Sequence, residues 1–332
     1  MSPQARREKA DLSLATLIDM FILSKQIEGR SQSTLTWYRT NLNSFLTFVA
    51  NDDAATLRDV TLDEAREFVA YLQGRETRYE SHSLRQVKQG GLSAHSIHGY
   101  VRTLKAFGSW LHEEGYTGKH PFDRLKPPKL PETMIEVLTD DEIGRIVRYI
   151  NPDGFLGARL YAIVLLLLDT GIRASELCTL TTANTFLSEG HLKVVGKGNK
   201  ERLVPFGATT KKALLKYMLS YRPEPKGSDG DNSTVFLSID GAPLSYTGLA
   251  QIVRRLGAGT DIPRLHPHLF RHTFAVRYLM NGGDIMTLRL ILGHTTLEVT
   301  QMYMHLAEAH IQVQHSKFSP VDRLEIGRRR RR

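Results

Sequence analysis

Cysteine is nearly missing from the 332-residue chain. Cys178 alone has no partner for an internal disulfide, so a reducing compartment, the cytoplasm, is the expectation. Long apolar runs are missing too. The richest, Ala162 to Leu168, falls well short of the ~20 residues of a membrane span and fits a buried helix segment. The opening residues MSPQARREKADL contain bases but no apolar stretch behind them, which speaks against a secretory signal. There is no Gly-x-x-x-x-Gly-Lys-Ser/Thr loop for nucleotide phosphates and no 20–50-residue repeat.

What is present is a globular composition, 41% hydrophobic and 24% charged, long enough for two domains with separate cores. Lys and Arg number 44 against 35 Asp and Glu, a net charge of +9, but residues 328–332 are five consecutive arginines and supply much of the excess. The distribution is more telling than the total. Residues 81–110 carry Arg85, Lys88, Arg102 and Lys105 with no acid. Residues 191–220 carry Lys193, Lys197, Lys200, Arg202, Lys211, Lys212 and Lys216 against Glu201 alone. Residues 51–70 reverse the balance, with six acids against Arg58 and Arg66. Segregated charge suits one face turned to a polyanion, and it also suits ordinary solvated helix faces.

The pattern of apolar residues predicts a mainly α protein with one small β-hairpin. Leu35, Tyr38, Leu42, Phe45, Leu46 and Val49 lie at helical spacing between Ser33 and Asn51. Thr61 with Glu64 opens a helix to about Gln73. After a polar loop from Gly74 to Gly91, Ser93 or Ser96 opens a helix with a stripe of Ile97, Tyr100, Val101, Leu104, Phe107 and Leu111. Residues 1–117 thus read as a helical domain, and the Pro- and Lys-rich residues 118–137 as a linker. The second domain, 138–315, opens with the capping box Thr139 to Glu142. Leu192–Val195 and Arg202–Pro205, joined through Gly196-Lys197-Gly198-Asn199-Lys200, read as a hairpin, with helices resuming near Ala208, Tyr246, Pro267, Asp284 and Thr296. Residues 316–332 form a basic tail with little periodicity.

Four patterns in the second domain can carry chemistry. Thr170-Gly171-Ile172-Arg173 places an arginine at a turn with Glu176 three residues on; alone, that is an ordinary ion pair. The hairpin presents Lys197 between glycines, which by itself is a solvated lysine. His268 and Arg271 share a helix face at i and i+3. Leu292-Gly293-His294 precedes Tyr303, and a lone tyrosine is usually a core residue with its hydroxyl at the surface. His266, His268 and His272 lack the carboxylate or thiolate partners of a zinc site, and no acidic pair is placed to hold Mg²⁺. Together, two arginines, a lysine and two histidines without a carboxylate cluster suit a phosphorane-like transition state, beside a tyrosine that such charge can activate.

The set TGIRASEL, VVGKGNKERLVP, HPHLFRHTFA, LGH and Tyr303, in this order over roughly residues 12–310, closely resembles the tyrosine recombinases, the phage-integrase family that includes Xer-type enzymes. The resemblance implies a helical, SAM-like core-binding domain and a catalytic domain that close as a clamp on duplex DNA. It implies Tyr303 as nucleophile, Arg173 and Arg271 as stabilisers of phosphate charge, and His268 and His294 as orienting and proton-handling groups. Lys197 becomes the acid for the leaving 5′ oxygen. It further implies a 3′-phosphotyrosyl intermediate, a four-way junction, a tetramer on paired DNA sites, and no metal or other cofactor.

Two departures stand out: His120-Pro121 replaces the family's usual Asn-Pro in the linker, and the Gly74–Gly91 loop is longer than a minimal version. With about eleven residues before the first helix, no arm-binding domain is expected, which points to a simpler Xer-like or mobile-element enzyme. Candidate DNA contacts are Arg85, Lys88, Arg102, Lys105, Lys200, Arg254 and Arg255. Two alternatives stand beside this reading: type IB topoisomerase-like relaxation, in the same chemical class, and a catalytically idle DNA-binding regulator on the same fold. Retention of all six catalytic-type residues argues against the idle regulator, and the small first domain against the topoisomerase.

Overall fold

The computed structural model describes residues 12–50, 55–78, 88–131, 135–196, 200–227, 233–294 and the single positions 296, 303, 315, 319 and 321. The chain divides into two compact units, Met1–Thr133 and Met134–Arg332.

The described part of the first unit is helical. Its helices are α1 (Leu14–Ile27), α2 (Gln32–Val49), α3 (Leu62–Gly74) and α4 (Ala94–Glu113). Each begins where a Ser or Thr side chain accepts the N–H three residues on: Ser13 from Thr16, Ser31 from Thr34, Thr61 from Glu64 and Ser93 from Ser96. These caps satisfy donors that the first helical turn otherwise leaves unpaired. The Gly74–Gly91 segment, expected as a loop, contains a short antiparallel pair, β1 (Thr77–Arg78) with β2 (Lys88–Gln89).

Aromatic rings fill the core between these helices. Phe21 meets Phe107 edge-on at 5.5 Å and Phe45 meets Phe68 at 5.3 Å, the geometry that ring quadrupoles favour. Phe122 and Leu125, in the stretch read from sequence as linker, are buried in this core. Gly108 makes room for Phe122 and for His120 before it: a Cβ there would lie 2.7 Å from the His120 ring and 3.0 Å from Phe122. His120 is held at both ring nitrogens, by the Lys105 carbonyl at 3.1 Å and the Phe122 N–H at 3.0 Å. The histidine of the departing His-Pro pair therefore staples this segment to α4.

The second unit opens with α5 (Asp140–Tyr149), started by the full Thr139–Glu142 capping box, and α6 (Phe155–Thr170). Next come α7 (Ala174–Thr179), β3 (Thr185–Phe186), β4 (His191–Val195) and β5 (Glu201–Pro205). The remaining described helices are α8 (Ala208–Ser220), α9 (Tyr246–Gly259), α10 (Pro267–Met280) and α11 (Ile285–Leu292). Helix α6 is the apolar centre; α8 and α10 pack on it, and Ala162, Ile163, Val164, Leu166 and Leu167 are buried. The hairpin is antiparallel, with Lys193 opposite Leu203 and Val195 opposite Glu201. Leu192, Val194 and Val204 face the core, following the two-residue alternation of strands. The two-residue β3 extends the hairpin to a three-stranded sheet. The mainly α class with a small sheet is thus observed. Among the described residues, no helix is long and apolar enough to cross a membrane.

Candidate active site

The chain reaches the site through two left-handed glycines. Gly171 ends α6 at φ 60°, and a Cβ there would sit 2.4 Å from the Phe274 ring. This position needs glycine both for its backbone conformation and for the close packing of α10 against α6. The turn delivers Arg173 to the N-cap of α7. Gly293 ends α11 at φ 64°, where a Cβ would meet the Arg202 guanidinium at 3.0 Å, and so delivers His294.

Arg173 is fixed by Glu176. One carboxylate oxygen accepts its Nη1 at 2.9 Å and the other accepts its backbone N–H at 2.8 Å. Its Nη2 reaches the Gly293 carbonyl at 3.3 Å, yet the side chain keeps 31% of its surface exposed. The ion pair weighed from the sequence therefore exists, and the arginine remains accessible. Arg271 lies deeper, 4% exposed, on α10. Its Nη1 donates to the Gly171 carbonyl at 2.7 Å, and its Nη2 to the Leu292 carbonyl and His294 Nε2, both at 2.8 Å. A guanidinium has five N–H donors, so these bonds orient the group without exhausting it.

Burial and then the neighbouring Arg173 bring the Arg271 pKa down to about 10. The guanidinium is still charged at neutral pH. Burial, followed by Arg271, Arg173 and Arg202, lowers His294 to about 4. It is therefore a neutral ring accepting from Arg271 at Nε2, with its own proton on Nδ1. His268 keeps an exposed edge, but partial desolvation and then Arg271 depress its pKa. Tyr303 is 2% exposed, and burial raises its phenol against the opposing pull of Arg271 and Arg173. The phenol is therefore protonated at neutral pH, 2.9 Å from His272 Nδ1.

The structure thus bonds Arg271 to His294 and sets Arg173 on the adjoining Gly293 carbonyl, with His268 and Tyr303 within electrostatic reach of the arginines. Lys197 lies outside the described residues, although the strands that carry its turn are in place. Among the described residues no His, Cys, Asp or Glu cluster could hold a metal ion.

Three groups at this site carry more than the sequence reading gave them. Glu176, by sequence one half of an ordinary ion pair, binds two arginines. Arg202, counted only as part of a basic segment, donates Nη1 and Nη2 to the two oxygens of Glu176, each at 2.8 Å, and Nε to the Ile291 carbonyl at 2.7 Å. It ties the hairpin to α7 and to the end of α11. Burial alone would raise Glu176, but the hydrogen bonds from Arg202 and Arg173 outweigh it and leave the carboxyl below its usual range. His272, weighed only as a metal ligand, touches Tyr303.

The candidate DNA contacts separate into distinct situations. Arg102 on α4, Lys200 beside the hairpin, and Arg254 and Arg255 on α9 are exposed. Lys105 instead donates its ammonium to the Asp123 carbonyl at 3.0 Å, a structural use that competes with a DNA contact. Lys88 falls in β2, with its side chain outside the described part, and Arg85 lies outside the described residues.

Comparison with known proteins agrees with this architecture. The chain matches the phage integrase family over residues 136–310 and the phage integrase SAM-like domain over residues 13–127. It is 31% identical to a tyrosine recombinase XerC of Oceanobacillus iheyensis, covering 92% of this chain and 97% of that protein. It is 29% identical to a tyrosine recombinase XerD of Staphylococcus saprophyticus, covering 92% and 99%. Among solved structures it resembles a XerH site-specific recombinase bound to palindromic difH substrate, with TM-score 0.70, 19% identity, and 92% and 85% coverage. It also resembles the Tn1549 transposon integrase in complex with transposon right-end DNA, with TM-score 0.68, 19% identity, and 93% and 100% coverage. These two share its fold, an N-terminal core-binding domain followed by a catalytic domain. With its second unit matched over more than half of the chain's length and a 31% identical relative spanning 92% of it, the chain belongs to the phage integrase family of tyrosine recombinases.

Proposed function

We propose that the protein is a site-specific tyrosine recombinase that cuts and rejoins duplex DNA through a covalent bond between Tyr303 and a 3′ phosphate. The observation that carries this reading is the convergence of Arg173, Arg271 and His294 beside a buried tyrosine: Glu176 and the Gly293 carbonyl hold Arg173, the Gly171 and Leu292 carbonyls hold Arg271, and Arg271 holds His294. Cations fixed before the substrate arrives stabilise developing phosphate charge without reorganising during the reaction.

In this reading the Tyr303 oxygen attacks the scissile phosphorus and the bond to the 5′ oxygen breaks. Arg173 and Arg271 grip the non-bridging oxygens. His268 and His294 orient the phosphate and assist proton transfer. Lys197 protonates the leaving 5′ oxygen. A 5′ hydroxyl from a partner strand reverses the step, and two such rounds pass through a four-way junction. The phosphotyrosyl bond conserves the energy of the broken link, so the exchange needs no nucleotide or metal. We assign core binding to residues 1–117, the connection to 118–137, catalysis to 138–315 and a basic tail to 316–332. Arg102, Lys200, Arg254 and Arg255 are exposed cations suited to the DNA backbone. The working assembly is a homotetramer on paired sites, acting in the cytoplasm.

The deciding experiment uses a nicked duplex that releases the cleaved end and traps the intermediate. Wild type is expected to give an SDS-resistant protein–DNA adduct, and Tyr303→Phe none. Equal adduct from both would remove Tyr303 as nucleophile. Absence of adduct from wild type on its cognate site would leave the idle DNA-binding regulator as the better account.

A further inference from the structure

Among the described residues, His272 is the one polar group to which the structure gives a direct bond with the Tyr303 hydroxyl, at 2.9 Å through Nδ1. Its placement comes from α10. Leu269, Phe270, Thr273 and Phe274 on either side are buried, so the helix cannot rotate to withdraw the ring. The bond also joins residues 31 positions apart. The charged and titratable neighbours that act on His272 are His268, His266 and Arg271 from its own segment, while Tyr303 reaches it from beyond α11.

The two partners have opposite proton affinities. Burial, and after it His268, His266 and Arg271, push the His272 imidazole below its ordinary pKa, so it is neutral at physiological pH. Burial raises the Tyr303 phenol, so it holds its proton. A neutral phenol donating to a neutral ring requires Nδ1 to be the unprotonated nitrogen, and the ring proton then sits on Nε2. A nucleophilic phenol must shed its proton as it attacks, and the receiving group must be unprotonated and within hydrogen-bond reach.

We infer that His272 is a further catalytic residue, the base that accepts the Tyr303 proton during DNA cleavage. This rests on the reading of Tyr303 as nucleophile. As the Tyr303 oxygen–phosphorus bond forms and the phosphorus–5′ oxygen bond breaks, the phenol proton passes to His272 Nδ1. The 5′ oxygen takes its proton from Lys197, so the protein gains one proton and gives up one. The incoming phosphate supplies the negative charge that raises the proton affinity of a nearby imidazole. On rejoining, the imidazolium returns the proton to the departing tyrosine.

The test measures single-turnover cleavage on the trapping substrate and on a version whose 5′-bridging oxygen is sulfur, a leaving group that needs no proton. Wild type and Tyr303→Phe on the ordinary substrate first establish whether Tyr303 is the nucleophile; if it is not, both readings fall together. If it is, His272→Gln and His272→Ala are expected to cleave about 10²–10³-fold more slowly on both substrates while still binding DNA. Lys197→Ala is expected to regain speed on the sulfur substrate. Added imidazole should restore part of the His272→Ala rate. The acid-side fall of the wild-type rate on the sulfur substrate should flatten in His272→Gln. Unchanged or faster cleavage by the His272 variants would make the bond a restraint on Tyr303 and overturn the inference. Rescue of these variants by sulfur would also overturn it, as would a wild-type rate with no acid-side fall.

Discussion

The two units handle buried polarity in opposite ways. Among the described residues, the first unit buries no charged side chain; its buried polar pair is Asn41 and Thr103, bonded to each other at 2.9 Å inside an aromatic core. The second unit buries Glu142, Arg159, Glu176 and Arg271. Desolvating a charge is costly, so each needs compensation, but compensation alone does not identify a site. Arg159 donates to the Leu237 carbonyl at 2.5 Å and lies over the Phe155 ring at 4.6 Å, which amounts to packing. Arg271 is also anchored to carbonyls, yet it stands beside Arg173, Arg202 and three histidines. Gathering like charges around one point has no value for stability. What marks the site is cations held together against their own repulsion.

The sharpest way to break this comparison is to remove one arginine of each kind. Arg271→Ala should lower the rate of adduct formation about 10³-fold, the scale of losing a preorganised donor to a developing anion. Arg159→Met should leave the rate per folded molecule unchanged and cost only stability, read from urea melts. A matching loss of cleavage in Arg159→Met would show that buried charge in general, rather than its convergence, supports the chemistry.

The first unit should fail differently. Phe68 is fully buried among Phe45, Phe48 and Tyr100. Phe68→Ala should destabilise that unit by about 3–5 kcal/mol through lost burial and the cavity left behind. Denaturant unfolding should show one transition moving earlier. Adduct formation at saturating DNA should change little while the DNA concentration needed rises. A slowed chemical step in molecules that are folded and fully bound would mean the first unit takes part in chemistry as well as binding.

Much of this contrast was legible in the sequence because it is local. The helix starts after Thr61, Ser93 and Thr139 followed from their caps, the hairpin from alternating residues around Gly196 and Gly198, and the arginines from short motifs. What was hidden depends on distance along the chain. Arg202 meets Glu176 across 26 positions and Ile291 across 89, pairings that no periodicity reveals. In the sequence His272 is one of a histidine cluster, and only the fold sets Tyr303, 31 positions on, against it. Phe122 and Leu125 read as linker because proline and lysine surround them, but two apolar residues at a tight turn suffice to dock a segment into an existing core.

The smallest expected effect concerns protons. Folding lowers His294 from its ordinary value near 6.5 to about 4, so the unfolded chain binds a proton there that the folded unit excludes. That contribution to stability is complete above pH 6.5 and is lost progressively as pH falls from 6.5 to 4; His268 and His272, also depressed, act in the same direction. The second unit should therefore melt lower across this interval. In His294→Gln, which keeps a polar side chain but cannot titrate, the slope of melting temperature against pH should be shallower, by on the order of a few degrees over the interval. The transition of the first unit should be the same in both proteins. Parallel curves for wild type and His294→Gln would mean that the arginines around His294 do not exclude its proton. The cationic pocket would then be less crowded in solution than the bonds to Arg271 imply. A shallower slope confined to the second unit ties the acid sensitivity of the fold to the same cations that we propose grip the phosphate.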